Sequence, residues 1–316
     1  MKHLKKLNYN IYKDCYITQF RSINKLSYEG AVYNKNGNLI TSTLRDYKSN
    51  CFYKYNLKNN FIKFDDEKCK YISTNSLYLG YITNNYGHFL LETLSRFWIF
   101  LTNNFIKFNI KNIIFIKWLD NNTKYYLLNE ILQIINLNDL KVIIIDKIYK
   151  FKTLIIPDKL CYINNKIYIE QKFIYDQIIK NNNIKDKTYD KIYISRHNGS
   201  KRILNENEII ELFKKFNFYI LNPNVKNFRK DIFLYNNAKI LAGLEGSNLH
   251  NVLFSKCKTK LISISSKRNK LKNQFECNKL KDIEMFTINF IEANKNCINI
   301  LYIEKKLSEI LKTNIL

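Results

Sequence analysis

The sequence has no Cys-x-x-Cys pair and no cluster of histidines. Its seven cysteines, at 15, 51, 69, 161, 257, 277 and 297, lie far apart, and only four histidines are present. That spacing argues against a zinc site. An odd number of thiols, with no signal peptide ahead of them, fits a reducing and therefore cytoplasmic compartment. Long hydrophobic runs are also missing. Lys141-Val-Ile-Ile-Ile-Asp146 and Lys152-Thr-Leu-Ile-Ile-Pro157 are strand length and far short of a membrane span, so the chain carries no transmembrane segment. There is no internal repeat to suggest a solenoid. Helix-turn-helix, zinc-finger and RNP-like aromatic motifs are likewise lacking, which speaks against specific nucleic-acid recognition.

What is abundant is lysine, asparagine, isoleucine and tyrosine, and the formal net charge is +25. A balance this basic would suit an anionic polymer or membrane surface as partner. The lysines are scattered, however, and AT-rich codons produce the same bias, with few glycines and prolines, without selecting any binding surface. A length of 316 residues is enough for two domains, each with its own core.

Short β-branched and tyrosine-rich runs broken by turns such as Asn34-Lys-Asn-Gly37 fill the first eighty residues. From Tyr78 onward, strands and helices alternate. A helix from Gly87 to Phe100 is followed by strand Ile113–Ile116, helix Lys124–Ile135 and strand Val142–Ile145. A further helix is expected near Asn165 to Lys180. The polar stretch Asn181 to Thr188 has the composition of a linker and sets a boundary, giving domains 1–180 and 181–316. Beyond it come strand Ile192–Ser195, helix Glu206–Phe216, strand Phe218–Leu221, helix Phe228–Asn237, strand Ile240–Leu244, helix Ser247–Phe254 and strand Leu261–Ser265. Such alternation predicts an α/β fold with largely parallel sheets.

Three segments carry chemistry. Lys239-Ile-Leu-Ala-Gly-Leu-Glu-Gly-Ser-Asn-Leu-His-Asn-Val-Leu-Phe254 reads as a buried strand that passes through a glycine turn into a helix, with Ser247 as its cap. Gly243 and Gly246 permit a sharp turn and close backbone approach, and the helix start offers N–H groups to an anion. Lys191-Ile-Tyr-Ile-Ser-Arg196 is a strand ending in a cation. Lys201, Arg202, Asn205 and Glu206 follow at a helix start, where Asn205 and Glu206 read first as a cap and a first-turn acid. In Asn84-Asn-Tyr-Gly87-His88-Phe-Leu-Leu-Glu92-Thr-Leu-Ser-Arg96-Phe-Trp98, His88 and Glu92 share one helical face, with Ser95 near the same line and Arg96 at its edge. Leu90, Leu91, Leu94, Phe97, Trp98 and Leu101 form the apolar back.

In their order these blocks resemble glycosyltransferase family 61, whose members carry a Gly-His-Phe helix with a nearby acid, a strand ending in Arg, a second Arg, an Asn-Glu helix start and a late glycine turn. Arg196, Arg202, Asn205, Glu206, Gly246, Ser247, Leu249, Asn251 and Phe254 match that pattern. Glu245 stands where many relatives have histidine. The resemblance implies the GT-B architecture, two Rossmann-like domains facing across a cleft. It also implies an inverting reaction that moves a sugar from a nucleotide donor, UDP-linked, to a glycan or glycoprotein acceptor. The family uses N-acetylglucosamine, xylose and arabinose among other sugars. A homodimer is left open.

Sugar transfer needs a stabilised leaving diphosphate and a base for the acceptor hydroxyl. The chain has no Asp-x-Asp to hold a metal, and Asp65-Asp66-Glu67 lacks the spacing. No metal or other cofactor is therefore expected. The diphosphate falls to Arg196, Lys201, Arg202, Asn205, Gly246, Ser247, Asn248, His250 and Asn251. His88 or Glu92 is the base, and the other orients it. A plain structural alternative is a helix cap at His88 and a surface ion pair between Glu92 and Arg96. A different class of protein, a non-catalytic binder of an anionic polymer on the same fold, would gather its lysines on one outer face and show steeply salt-dependent affinity.

Overall fold

The computed structural model describes residues 7–19, 21–23, 27–45, 61–117, 125–196, 205–265, 272–289, 292–294 and 297–314. Two compact units divide the chain. One comprises Met1–Tyr125 and Ile135–Ile174, the other Tyr126–Ile134 and Tyr175–Leu316. Both mix strands and helices, so the α/β class read from the sequence is what forms.

The first unit is built on a seven-stranded sheet. Its strands are β1 (Tyr9–Ile17), β2 (Val32–Tyr33), β3 (Lys70–Ile72), β4 (Ser76–Ile82), β5 (Asn112–Lys117), β6 (Lys141–Ile145) and β7 (Tyr149–Pro157). They are ordered β2-β1-β7-β4-β5-β6, with β3 also beside β7. β4 to β7 form a parallel block, and β1 closes it antiparallel to β7. β4 and β5 are almost wholly apolar because both faces of the parallel block are covered. Tyr78, Ile114, Ile116, Phe151 and Leu154 pack there with Cys15 and Ile17 of β1. A bulge at Leu79 brings Gly80 to φ +98°, and the missing side chain leaves room for Arg96, whose Nε would lie 3.6 Å from a Cβ there.

The helix expected from Gly87 to Phe100 forms in two parts. α1 (Tyr86–Leu91) is α-helical, and Thr93–Leu101 is a 3-10 helix. Hydroxyls drive the change. Thr93 Oγ1 donates to Tyr81 O, and Ser95 donates to Glu92 O through both its N–H and its Oγ. Seven consecutive residues, Thr93 to Ile99, are buried, so burial is not confined to the apolar back predicted for one face. Asn165 lies in the turn of a small hairpin, Cys161–Tyr162 with Lys166–Ile167. Helix formation there is delayed to Ile169–Gln171 and Lys172–Asn181.

In the second unit five parallel strands, β8 (Lys191–Ile194), β9 (Tyr219–Leu221), β10 (Ile240–Leu244), β11 (Lys260–Ser265) and β12 (Glu284–Asn289), are ordered β9-β8-β10-β11-β12. Chain order therefore reverses at β8, between β9 on one side and β10 on the other. Around the sheet run α2 (Tyr126–Ile134), α3 (Lys172–Asn181), α4 (Glu206–Lys215), α5 (Phe228–Asn237), α6 (Lys272–Lys281) and α7 (Ile300–Asn314). Although α2 comes from the first half of the chain, it belongs here, where Glu130 and Gln133 accept from Arg229 of α5 at 2.9 and 3.1 Å. Tyr193, Phe213, Ile240, Ile262, Ile303 and Leu307 form the core.

One carboxyl in this unit makes stability depend on pH. Asp231, 5 % exposed, accepts from Asn224 N at 3.3 Å. Burial raises its pKa to about 7, against the smaller opposing pull of that N–H and of Lys230. With the folded value above the unfolded one, the folded state holds an extra proton between about pH 4 and 7, and stability falls as pH rises through that window. Asp231→Asn is expected to match wild type near pH 4. At pH 8 it should exceed wild type by a few kcal/mol at most, since each tenfold displacement of a proton equilibrium is worth roughly 1.4 kcal/mol. Thermal melts at the two pH values check this, and parallel melting curves would refute it.

Candidate functional site

Two groups of residues predicted from the sequence are assembled, one in each unit. In the first, β4 ends at Ile82 and the chain turns into α1. Thr83 Oγ1 accepts from Asn85 N, and the Asn85 side chain caps α1 by accepting from His88 N at 3.3 Å. His88 thus sits in the first turn and Glu92 at the C-cap, one turn apart on the same side. His88 Nδ1 lies 2.5 Å from Glu92 Oε2.

Arg96 does not take part in this pair. It is 2 % exposed and donates to Pro157 O and, at 2.9 Å, to Ser42 O, with Tyr78 beneath its guanidinium at 5.6 Å. The cation that meets Glu92 is Arg45, which the sequence reading passed over. Its Nε donates to Oε1 at 2.8 Å and its Nη2 to Oε2 at 2.6 Å, a two-pronged grip with both side chains 10 % exposed. Arg45 is 47 residues upstream in a segment without a motif, so only the fold could reveal it. The segment Thr41–Arg45 is held by its carbonyls. Arg96 reaches Ser42 O, Tyr78 Oη reaches Thr43 O at 3.3 Å, and Lys159 reaches Leu44 O and Arg45 O.

Burial alone would push the Glu92 carboxyl up, but the His88 hydrogen bond and the Arg45 charge outweigh it and hold Glu92 below the ordinary carboxylate value. Glu92 is therefore ionised at neutral pH. Two lone pairs cannot face each other at 2.5 Å, so His88 Nδ1 is the donor to the Glu92 carboxylate. The His88 side chain is 36 % exposed.

The second group lies at the carboxyl ends of β8 and β10, where the strand order reverses, the place at which open parallel sheets bind ligands. Arg196 follows β8. Its N–H donates to Glu206 Oε1 at 2.7 Å, and its Nη1 donates to Glu245 O at 2.6 Å. Gly246 has φ +148°, and a Cβ there would lie 2.9 Å from Arg196 Nη1. Glycine thus lets the guanidinium rest on the backbone. Gly243 plays a similar part, since a Cβ on it would come within 2.8 Å of Ile194 O. Ser247–Phe254 forms over the range expected but as a 3-10 helix. Gly246, not Ser247, holds the cap position, and no side chain caps it.

Asn248 Nδ2 donates to Ile194 O at 3.2 Å, while its buried Oδ1 has no hydrogen-bond partner among the described residues. His250 Nδ1 meets Gln274 Oε1 at 2.9 Å. Because Gln274 Nε2 donates to Leu249 O and Asn278 Oδ1, its Oε1 must accept, so His250 also carries a hydrogen on Nδ1. Asn251 is buried, donating to Asn248 O and Tyr235 Oη. Asn205 makes no side-chain cap. Its amide instead pairs with both backbone groups of Ile298. Glu245 points its carboxylate at Ser265 Oγ, 2.6 Å away. Lys201 and Arg202 lie outside the described residues.

Residues 86–262 match the family described as Glycosyltransferase 61. The chain belongs to that family. The matched stretch contains the His88–Glu92 pair, Arg196 and the Gly246 turn, and it begins after Arg45. No curated protein matches the chain. Membership of the glycosyltransferase 61 family points to glycosyltransferase activity, with a sugar donor and an acceptor as substrates. Among the described residues, no helix of this glycosyltransferase is long and apolar enough to cross a membrane.

Proposed function

We propose that this glycosyltransferase moves a sugar from a UDP-linked donor to a hydroxyl of a glycan or protein, with inversion and without a metal ion. The observation that carries the proposal is the short hydrogen bond between Glu92 and the partly exposed His88 side chain. Of the two candidates for the base, His88 takes the role, because Glu92 is held ionised and doubly engaged by Arg45. Nε2 removes the acceptor proton as the acceptor oxygen attacks the anomeric carbon. The bond from that carbon to the diphosphate oxygen breaks, and the electron pair leaves with the diphosphate. One displacement with one base inverts the configuration.

The second unit takes the leaving group. Arg196 and the N–H groups after Gly246 stabilise the diphosphate, and His250 contacts the nucleotide. In this proposal the acceptor binds mainly to the first unit, and the fold is of the GT-B type that the sequence resemblance implies.

Thermal melts with a panel of nucleoside diphosphates and nucleotide sugars, in EDTA, test the donor assignment. A rise in melting temperature selective for uridine nucleotides is expected. Arg196→Ala should weaken nucleotide affinity about 10- to 100-fold, as loss of a charge-assisted hydrogen bond worth roughly 1.5–3 kcal/mol requires. An unselective response abolished by salt would instead fit a basic polymer-binding protein.

A further inference from the structure

We propose that Arg45 is a positioning residue for the transfer base: its fork fixes the Glu92 carboxylate so that the imidazole proton of His88 stays on Nδ1 and Nε2 remains free to accept. This rests on the reading of His88 as the base. Both Glu92 oxygens accept from Arg45, at 2.8 and 2.6 Å, so the carboxylate plane cannot rotate without breaking a charge-assisted bond. Oε2, the oxygen that Nη2 holds, is the one His88 Nδ1 meets.

Arg45 Nη2 also lies 3.0 Å from Nδ1. Nη2 and Nδ1 thus converge on one carboxylate oxygen, Oε2, so the fork that holds that oxygen also sets where the imidazole meets it. Arg96 and Lys159 line the same pocket as Arg45 and Glu92, where they donate to the carbonyls of Ser42, Pro157, Leu44 and Arg45. They add positive charge behind the carboxylate. Because the family match begins at residue 86, nothing in it assigns Arg45 a role.

The test uses the full chain labelled with nitrogen-15 histidine. Of its four histidines, the His88 resonances are identified by their loss in His88→Gln. In wild type His88 is expected to show the Nδ1–H tautomer. In Arg45→Gln the tautomers should mix. Arg45→Lys keeps the charge but not the fork, so there too the tautomer preference should loosen. An Nε2–H tautomer in wild type, or identical tautomers in all three proteins, would overturn the proposal. Should the glutamine variant fail to fold, the wild-type tautomer and the lysine variant decide. These spectra need no substrate. Undiminished transfer by His88→Ala would sink the base assignment alone, so the two failures are distinguishable.

Discussion

Replacing His88 with alanine is expected to lower kcat by about 10²- to 10⁴-fold and to leave the nucleotide-dependent rise in melting temperature intact. The separation follows from where the groups lie. His88 belongs to the first unit, whereas Arg196, Gly246 and His250, the proposed donor site, belong to the second. Folding should tolerate the change, since the His88 side chain is 36 % exposed and the capping bond at Asn85 uses its backbone N–H. The pH–rate profile supplies an independent check. Glu92 is held below the usual carboxylate value and is ionised through the working range. An acid limb in the range of a histidine would agree with His88 as base. A limb at carboxylate pH, or a His88→Ala enzyme within a few-fold of wild type, would pass the role to Glu92.

The largest stability effect is expected at Arg96, where alanine should cost about 3–5 kcal/mol. A cation sits there at 2 % exposure, hydrogen-bonded to neutral carbonyls, and burial pulls its pKa down. The Pro157 and Ser42 carbonyls accept its hydrogen bonds. Alanine would leave both carbonyls without this donor and open a cavity beside Gly80 and Tyr78. Arg96→Met separates the two costs: it refills the volume but donates nothing, so it should recover only part of the loss. Chemical denaturation measures both variants. A loss below about 1 kcal/mol for alanine would show that water replaces the guanidinium without penalty.

Much of this was legible in the sequence. The βα alternation placed Phe228–Asn237 and Ile240–Leu244 at their observed bounds, because period and apolar content are local properties. The pairing of His88 with Glu92 followed from helical spacing alone. Other features depended on distant partners. The α-helix expected through residue 100 becomes a 3-10 helix because hydroxyls of Thr93 and Ser95 seek carbonyls. Arg96 looked like a surface residue because its spacing put it near the polar line, yet carbonyls from segments 54 and 61 residues away draw it inward. Asn205 had the residue type of a helix cap, but the backbone of Ile298, 93 residues on, claims its amide. Arg45 carried no local signal of any kind.

The strap that delivers Arg45 is gripped through its main chain, by Arg96, Tyr78 and Lys159 reaching the carbonyls of residues 42 to 45. A peptide oxygen is the same whichever amino acid bears it. Thr41 and Ser42, which are exposed, are thus at liberty to diverge between descendants of this chain while the guanidinium a few residues on keeps its place. An alignment scored by residue identity would score the strap as noise and could slide the arginine out of register. Superposition on the carboxylate that it grips would bring it back.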